Sequence, residues 1–288
     1  MGLELPKIDH ILYGQAKFIL KFEFLAMLTK NQAKDAAERL WMCWRDGTVI
    51  TALPEAIRPS DRADGYAIQE HYESLSGLPI VGWKIAATST AGQRHIGVDG
   101  PISGRLLQEH VFKDGADLYF GHNRMAVAEP EFAFRMKNDL PPRDAEYNTD
   151  EVFAAVGALH PAIEIPDSRF APFEAAGAGQ LIADNACTHD FVLGQEMPAL
   201  WRDLNLSQHV VRIKVSEHET VEGLGSNVLG DPRVALTWIA NELSRFGPGL
   251  KADQLVTTGT CAPPQVIGPG DSVTADFGIL GSVHCILK

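Results

Sequence analysis

The sequence predicts an α+β protein: a short helical N-terminal part, then a strand-rich body with one inserted helix. Three observations carry this. Apolar residues recur at three- and four-residue spacing near the start of the chain and again in one later stretch. Elsewhere, short runs rich in Val, Ile, Thr and Phe are stopped by Gly, Pro, Asp or Asn. The 288 residues are 45% apolar and 22% charged, which suits one large domain or one domain with a smaller appendage.

The elements follow in order. Residues 1–26 run into "FILKFEFLAML" (18–28), an apolar run that Lys21 and Glu23 interrupt. It lacks the cationic start of a secretory leader and is too short to span a bilayer. It is an extra strand or helix on the domain, or an upstream extension with Met27 as the natural start. Residues 31–44 read as a helix with Ala33, Ala36, Ala37, Leu40, Trp41 and Trp44 on one face. A second helix is expected from about Arg62 to Leu75, capped by Ser60 or Asp61 and stopped by Gly77 and Pro79. Strands are then expected in "IVGWKIAATS", "MAVAEPEFAFRMK", "HPAIEIPDSRF", "HDFVLG", "HVVRIKVSE", "QLVTTGTCAPP" and "DSVTADFGILGSVHCIL", with "HETVEG" as a hairpin return. "DPRVALTWIANELSRFG" is the inserted helix, with Asp231 as cap, Pro232 in the first turn and Gly247 as stop. This divides the chain into 1–26, a helical part 27–78 and a body 79–288.

The net charge of -12 argues against a nucleic-acid partner, since phosphate contacts need clustered Lys and Arg. It leaves an anionic substrate open, because a metal or one lysine reverses the field locally. The four cysteines form no CxxC pair and read as reduced thiols of a cytoplasmic protein. No apolar run approaches a bilayer span, so no membrane partner is expected.

The chemistry is expected where strands carry acids. In "AEPEFAFRM", alternation puts Glu129 and Glu131 on one face and Phe132, Phe134 and Met136 on the other. Pro130 cannot donate to a ladder, so it marks an edge or a bulge. In "HPAIEIPDSRF", Glu164 lies between two isoleucines and Pro166 follows. Three strand carboxylates with apolar neighbours suit a hard divalent ion; solvated edge strands are the competing reading.

Nine segments resemble the fumarylacetoacetate hydrolase superfamily, and within it the 2-oxopent-4-enoate (2-hydroxypenta-2,4-dienoate) hydratases and 4-oxalocrotonate decarboxylases. They are "DGYAIQ", "VGWKIAATS", "IGVDGP", "EPEFAF", "PAIEIPDSR", "ADNA", "GSNVLGDP", "TGTCAPP" and "PGDSVTADFGILGSV". They keep the family's order from about residue 35 to the C-terminus. The resemblance implies a mixed β-roll or sandwich with helices outside, assembled as a homo-oligomer. It implies Mg²⁺ or Mn²⁺ on Glu129, Glu131 and Glu164, and an active-site lysine at Lys84. It places Thr260 and Cys187 against substrate, although a turn hydroxyl at Thr260 could equally bond its own backbone. A cation nearby would lower the pKa of Lys84 and ease proton transfer.

The pattern also departs from the family. Ile102 stands where hydratases often carry an acid, with Asp99 in the preceding turn. Cys187 replaces a serine after "DNA", and Asp231 replaces a histidine. No local signature makes Cys187 a nucleophile. His189 is a further catalytic candidate, His160 reads as structural, and His71 is a faint one for a hydrolase.

The leading expectation is hydration of a short 2-hydroxy-2,4-dienoate to a 4-hydroxy-2-oxo acid, in aromatic-compound catabolism, on a small anionic 2-oxo acid. Alternatives are decarboxylation of a 2-oxo-3-enedioate, hydrolysis of an acylpyruvate-type substrate, and a scaffold that has lost the chemistry.

Overall fold

The computed structural model describes residues 27–288, so the expectations for 1–26 lie outside the described residues. Helix α1 (Lys30–Asp46) begins with a reciprocal capping box between Thr29 and Gln32 and ends at Gly47 in the left-handed region. It buries Ala33, Ala36, Ala37, Leu40 and Cys43. Small residues on that face let α2 (Arg62–Gln69) lie close.

The helix expected over 62–75 is two helices, α2 and α3 (Tyr72–Ser76). At the break the His71 amide donates to Ile68 rather than continuing the α-helical ladder. The restart brings Tyr72 beneath Trp41 and Trp44, with ring centroids 5.9 and 6.1 Å away, and Tyr72 is fully buried. Packing of one aromatic overrides a pattern that reads as continuous.

The remaining elements are β1 (Ile80–Ala86), α4 (Thr90–Ile96), β2 (Ile102–Leu107), β3 (Val111–Lys113), β4 (Ala116–Leu118), β5 (Val127–Met136), α5 (Thr149–Ala154) and β6 (Val156–Ile165). Then come α6 (Ala178–Ala183), β7 (Asp190–Leu193), β8 (Val210–Val215), β9 (Val221–Leu224), α7 (Pro232–Phe246), β10 (Leu255–Thr260), β11 (Gln265–Val266), β12 (Ser272–Asp276) and β13 (Ser282–Leu287). The α+β expectation stands. The expected strands are all present, as are the β8–β9 hairpin and the Asp231-capped α7. The sequence reading missed β2, β3, β4, β11, α4, α5 and α6. Each is short, and β2 mixes Ser103, Gly104 and Arg105 into a strand whose every residue is buried.

One sheet runs β2-β1-β10-β5-β6-β7-β3, with β11 attached to β5. The other runs β4-β13-β12-β8-β9. Their facing sides share one core, with Phe132, Phe134 and Ile163 from the first sheet meeting Ile213, Phe277 and Val283 from the second. α7 adds Leu236, Ile239 and Leu243 to it. A second cluster joins α1, α2, α3 and α6 to Ile102 and Cys187. Among the described residues no helix is long and apolar enough to cross a membrane.

Pro130 is not on an edge. β5 lies between β10 and β6 at the centre of its sheet. The bulge half of the expectation holds: the β5–β10 register shifts between Thr257 and Thr260, and the Pro130 carbonyl accepts from the Cys261 amide at 2.8 Å.

Candidate metal centre and active-site cavity

Alternation places Glu129 and Glu131 on one face of β5. Glu164 stands directly opposite Glu129 on antiparallel β6, so it shares that face. Oxygens from the three carboxylates lie within 4.8 Å of one another. Glu131 and Glu164 are buried and Glu129 is half-buried, facing the cavity.

The bulge in β10 holds Glu131. Its Oε2 accepts from the Thr257 hydroxyl and, at 2.8 Å, from the Gly259 amide. Gly259 has φ of 100°, and a Cβ there would run into the Thr88 side chain, so the position needs glycine. Glu131 Oε1 and Glu164 Oε2 are buried with no hydrogen-bond partner among the described residues. Such orphans are costly. Three converging hard oxygen donors fit a small divalent cation, which prefers oxygen and keeps positions for other ligands.

Lys84, on β1, points into the same place. Its Nζ lies 2.8 Å from Glu164 Oε1, an ion pair, and donates to the Ala186 carbonyl at 2.8 Å. Burial pulls its pKa down, but Glu164 and its other anionic neighbours prevail and hold it above the ordinary value, so Lys84 is an ammonium. Burial raises the pKa of Glu131 well above the usual carboxylate range, with Glu164 and Glu129 adding to it. Burial and then Glu164 push Glu129 up to about 7, against the pull of Lys84.

The Ala186 carbonyl reaches Lys84 from a strained turn. Asn185, Ala186 and Cys187 all have positive φ, at 54°, 51° and 59°. Asn185 clamps the turn to β2, its side chain accepting from the Arg105 amide at 2.6 Å and donating to the Arg105 carbonyl at 2.9 Å. Arg169 pairs with Asp184 at 2.5 Å and fixes the turn from the other side. The "PDSR" and "ADNA" segments are therefore one unit.

A cavity of about 850 Å³ opens over this centre, lined by Lys84, Glu129, Cys187, Asn227 and Thr260 among others. The Thr260 hydroxyl donates to the Ala262 carbonyl at 2.6 Å, as a turn hydroxyl does, while still facing the cavity. Burial pushes the Cys187 thiol up to about 12, so it is a neutral wall group. Ile102 is fully buried in the helical cluster, Asp99 pairs loosely with Arg62 at 3.9 Å, and Asp231 caps α7.

His189 is turned away from this centre. It lines a second recess, accepts from the Trp44 indole at 2.9 Å, and stands near His110 and Asp190. His160 is buried with Nδ1 3.0 Å from the Gly194 carbonyl, a structural contact. His71 sits at the α2–α3 break. The sequence reading missed Thr257, Gly259 and the Asn185 clamp. The glycine in "TTGT" was a usable signal, but the clamp joins residues 80 positions apart and leaves no local trace.

No protein-family model matches the chain. A 2-keto-4-pentenoate hydratase of Paraburkholderia xenovorans (strain LB400) is 32% identical over 262 residues, covering 89% of this chain and 95% of that protein. A 2-hydroxyhexa-2,4-dienoate hydratase of Comamonas testosteroni is 30% identical over 269 residues, covering 91% and 99%. Among solved structures, 4-oxalocrotonate decarboxylase from Pseudomonas putida G7, complexed with magnesium and adipate, superposes with a TM-score of 0.82 at 27% identity, covering 91% and 99%. Fumarylpyruvate hydrolase from Pseudomonas aeruginosa, in complex with Mn²⁺ and pyruvate, shares the fold at a TM-score of 0.55 and 10% identity, covering 73% and 89%. The fold is that of the fumarylacetoacetate hydrolase superfamily, and the similarity to curated relatives extends over nearly the whole of both chains: the chain belongs to the family of 2-keto-4-pentenoate hydratases.

Proposed function

We propose that this protein is a divalent-metal-dependent hydro-lyase that adds water to a short 2-hydroxy-2,4-dienoate, giving a 4-hydroxy-2-oxo acid in aromatic-compound catabolism. The observation that carries the reading is the meeting of Glu129, Glu131 and Glu164 beside the ammonium of Lys84 at one cavity. Glu129, Glu131 and Glu164 would hold Mg²⁺ or Mn²⁺. Bound there, the cation supplies Lewis-acid polarisation of the substrate's carboxylate and 2-oxo oxygens.

The chain's own groups do the rest. Lys84 Nζ binds the anionic end of the substrate and is the proton-bearing group at the reacting centre. In ketonisation the 2-hydroxyl proton is lost and C5 gains one, giving the conjugated 2-oxo-3-enoate. Water then adds across that double bond, its hydroxyl to C4 and its proton to C3. Thr260 and Cys187 form walls that contact substrate. The apolar remainder of the cavity excludes bulk water. Four buried free cysteines suit the cytoplasm, and the relatives' chemistry suits a small anionic 2-oxo acid as partner. A homo-oligomer is the expected assembly.

Decarboxylation of a 2-oxo-3-enedioate is the second reading, favoured by the likeness to the decarboxylase structure. It needs the same grip on the 2-oxo acid but a holder for a distal carboxylate. The test is an ultraviolet time course with 2-hydroxypenta-2,4-dienoate and with its distal-carboxylate analogue, under Mg²⁺, Mn²⁺ and chelator, beside Glu131→Gln. Metal-dependent loss of dienol absorbance to a 4-hydroxy-2-oxo acid, absent in the variant, is expected. CO₂ release from the diacid alone would move the assignment to decarboxylation.

A further inference from the structure

The cavity continues past the carboxylates, and what lines its outer part bears on substrate choice. Glu131, Glu129 and Val127 share one face of β5, and at about 3.4 Å rise per residue Val127 stands about 7 Å beyond Glu129. Met125, two residues before the strand, also lines the cavity. Pro263 and Pro264 enter from the turn that leads into β11, which pairs with β5 at Val127 and Ala128. Ile96 of α4 and Phe173 complete the outer wall.

Lys84 and Arg124 are the lysine and the arginine among the residues that line the cavity, and the contacts of both lie away from this outer wall. Lys84 is held by Glu164 at the carboxylate end. Arg124 borders the cavity, but its guanidinium donates to the Gly47 carbonyl at 2.9 Å and the His122 carbonyl at 3.4 Å, groups that line the other recess. His95 lies exposed with its ring against Phe173, centroids 5.8 Å apart, and Glu174 adds a negative charge beside it. The space is also large for the reaction's minimal substrate. A five-carbon dienoate has about eight non-hydrogen atoms, whereas cavities of roughly 300–1,000 Å³ enclose drug-sized ligands; this one holds about 850 Å³.

We propose that Val127, Met125, Phe173 and Ile96 form a subsite for an extended apolar substituent, alkyl or aryl, on the far carbon of the 2-hydroxy-2,4-dienoate. A distal carboxylate is disfavoured there. This rests on the hydratase reading for the orientation of the substrate, with its carboxylate end at Lys84.

The test separates the tail from the chemistry. Binding of stable saturated 2-oxo acids to the Mg²⁺-loaded protein is measured by calorimetry for five-, seven- and nine-carbon chains and for a 2-oxo diacid. Affinity should rise about fourfold per added methylene, the factor that about 0.8 kcal/mol per buried CH₂ gives. The diacid should bind at least about tenfold more weakly than the monoacid of equal length. In parallel, kcat/KM is measured for the unsubstituted dienoate and for one with a butyl tail. The tailed substrate should be preferred. Met125→Glu and Phe173→Ala should each flatten the chain-length slope, two variants guarding against a failure to fold.

Affinity independent of length, or tightest for the diacid, would overturn the subsite. A length-dependent affinity with no turnover of any dienoate would support the apolar wall and sink the hydratase reading instead. Binding of no 2-oxo acid at all would overturn both.

Discussion

Glu129 and Glu164 face each other directly across β5 and β6, two carboxylates on one side of a central strand pair. Like charges in that position destabilise a sheet. Lys84 offsets one of them, and Glu131 adds a third acid nearby. The arrangement is costly without a cation, and one held by these carboxylates would offset that cost.

Removal of metal should therefore lower stability. A cation at about 100 times its Kd stabilises by about 2.7 kcal/mol. At roughly 2–4 °C per kcal/mol for chains approaching this size, the melting midpoint should fall several degrees when chelator replaces Mg²⁺. Glu131→Gln should abolish most of the difference. Equal midpoints with and without Mg²⁺ or Mn²⁺ would remove the three glutamates from consideration as a metal centre.

The pH dependence of the metal-free protein has a definite sign. Burial and Glu164 push the folded-state pKa of Glu129 up to about 7, from an ordinary 4.5. Between those values the folded chain holds a proton that the unfolded chain has released. This group's contribution to stability thus falls as pH rises from about 4.5 through 7. Metal requires the ionised carboxylate, so its affinity should weaken as pH drops below about 7. Urea unfolding in chelator at pH 5.5 and 8, compared with Glu129→Gln, isolates the effect. If the variant shows the same pH slope as the parent, Glu129 does not carry it.

The acids and the lysine were legible because strand alternation is a local rule. Glu129, Glu131 and Phe132 declare their faces within four residues, and Glu164 repeats the context. The resemblance added which lysine belongs with them. What was not legible is what long-range packing decides. Pro130 reads as an edge residue, yet the bulge at Gly259 tolerates it in a central strand. The continuous apolar pattern over 62–75 hides a break that Tyr72 demands. His189 follows "DNACT" closely enough to suggest the active site, but the strained turn at 185–187 sends it to the opposite side. Ile102, at the position where an acid was looked for, is packed among the apolar side chains of the helical cluster.

Lys84→Met should separate stability from catalysis. Removing one partner of a buried ion pair costs roughly 3–5 kcal/mol, since Glu164 is left with an unpaired charge. Bound Mg²⁺ should restore much of that stability by neutralising the same carboxylate. It should not restore turnover, because no other proton-bearing ammonium reaches the centre among the described residues. A loss of about 10²- to 10⁴-fold in kcat is expected. A metal-loaded variant with near-parental kcat would show that Lys84 is structural.

Gly104→Ala tests whether the strained turn positions that lysine. A Cβ on Gly104 would run into the Asn185 carbonyl and the Thr188 hydroxyl, both parts of the turn. Backbone cannot swing aside as a long side chain can, so β2 or the turn must shift. The turn has little slack: three successive non-glycine residues already sit at positive φ, and Asn185 bonds both backbone groups of Arg105. Overpacking of this kind costs about 1–3 kcal/mol. The displaced Ala186 carbonyl would also stop guiding Lys84, so kcat should fall about tenfold or more even where the protein remains folded. Gly100→Ala is the control. Its Cβ meets nothing within 4 Å, and its stability should stay within about 0.5 kcal/mol of the parent. Parental kcat and melting midpoint in Gly104→Ala would mean that the close approach of β2 to the turn is not what holds Lys84 in place.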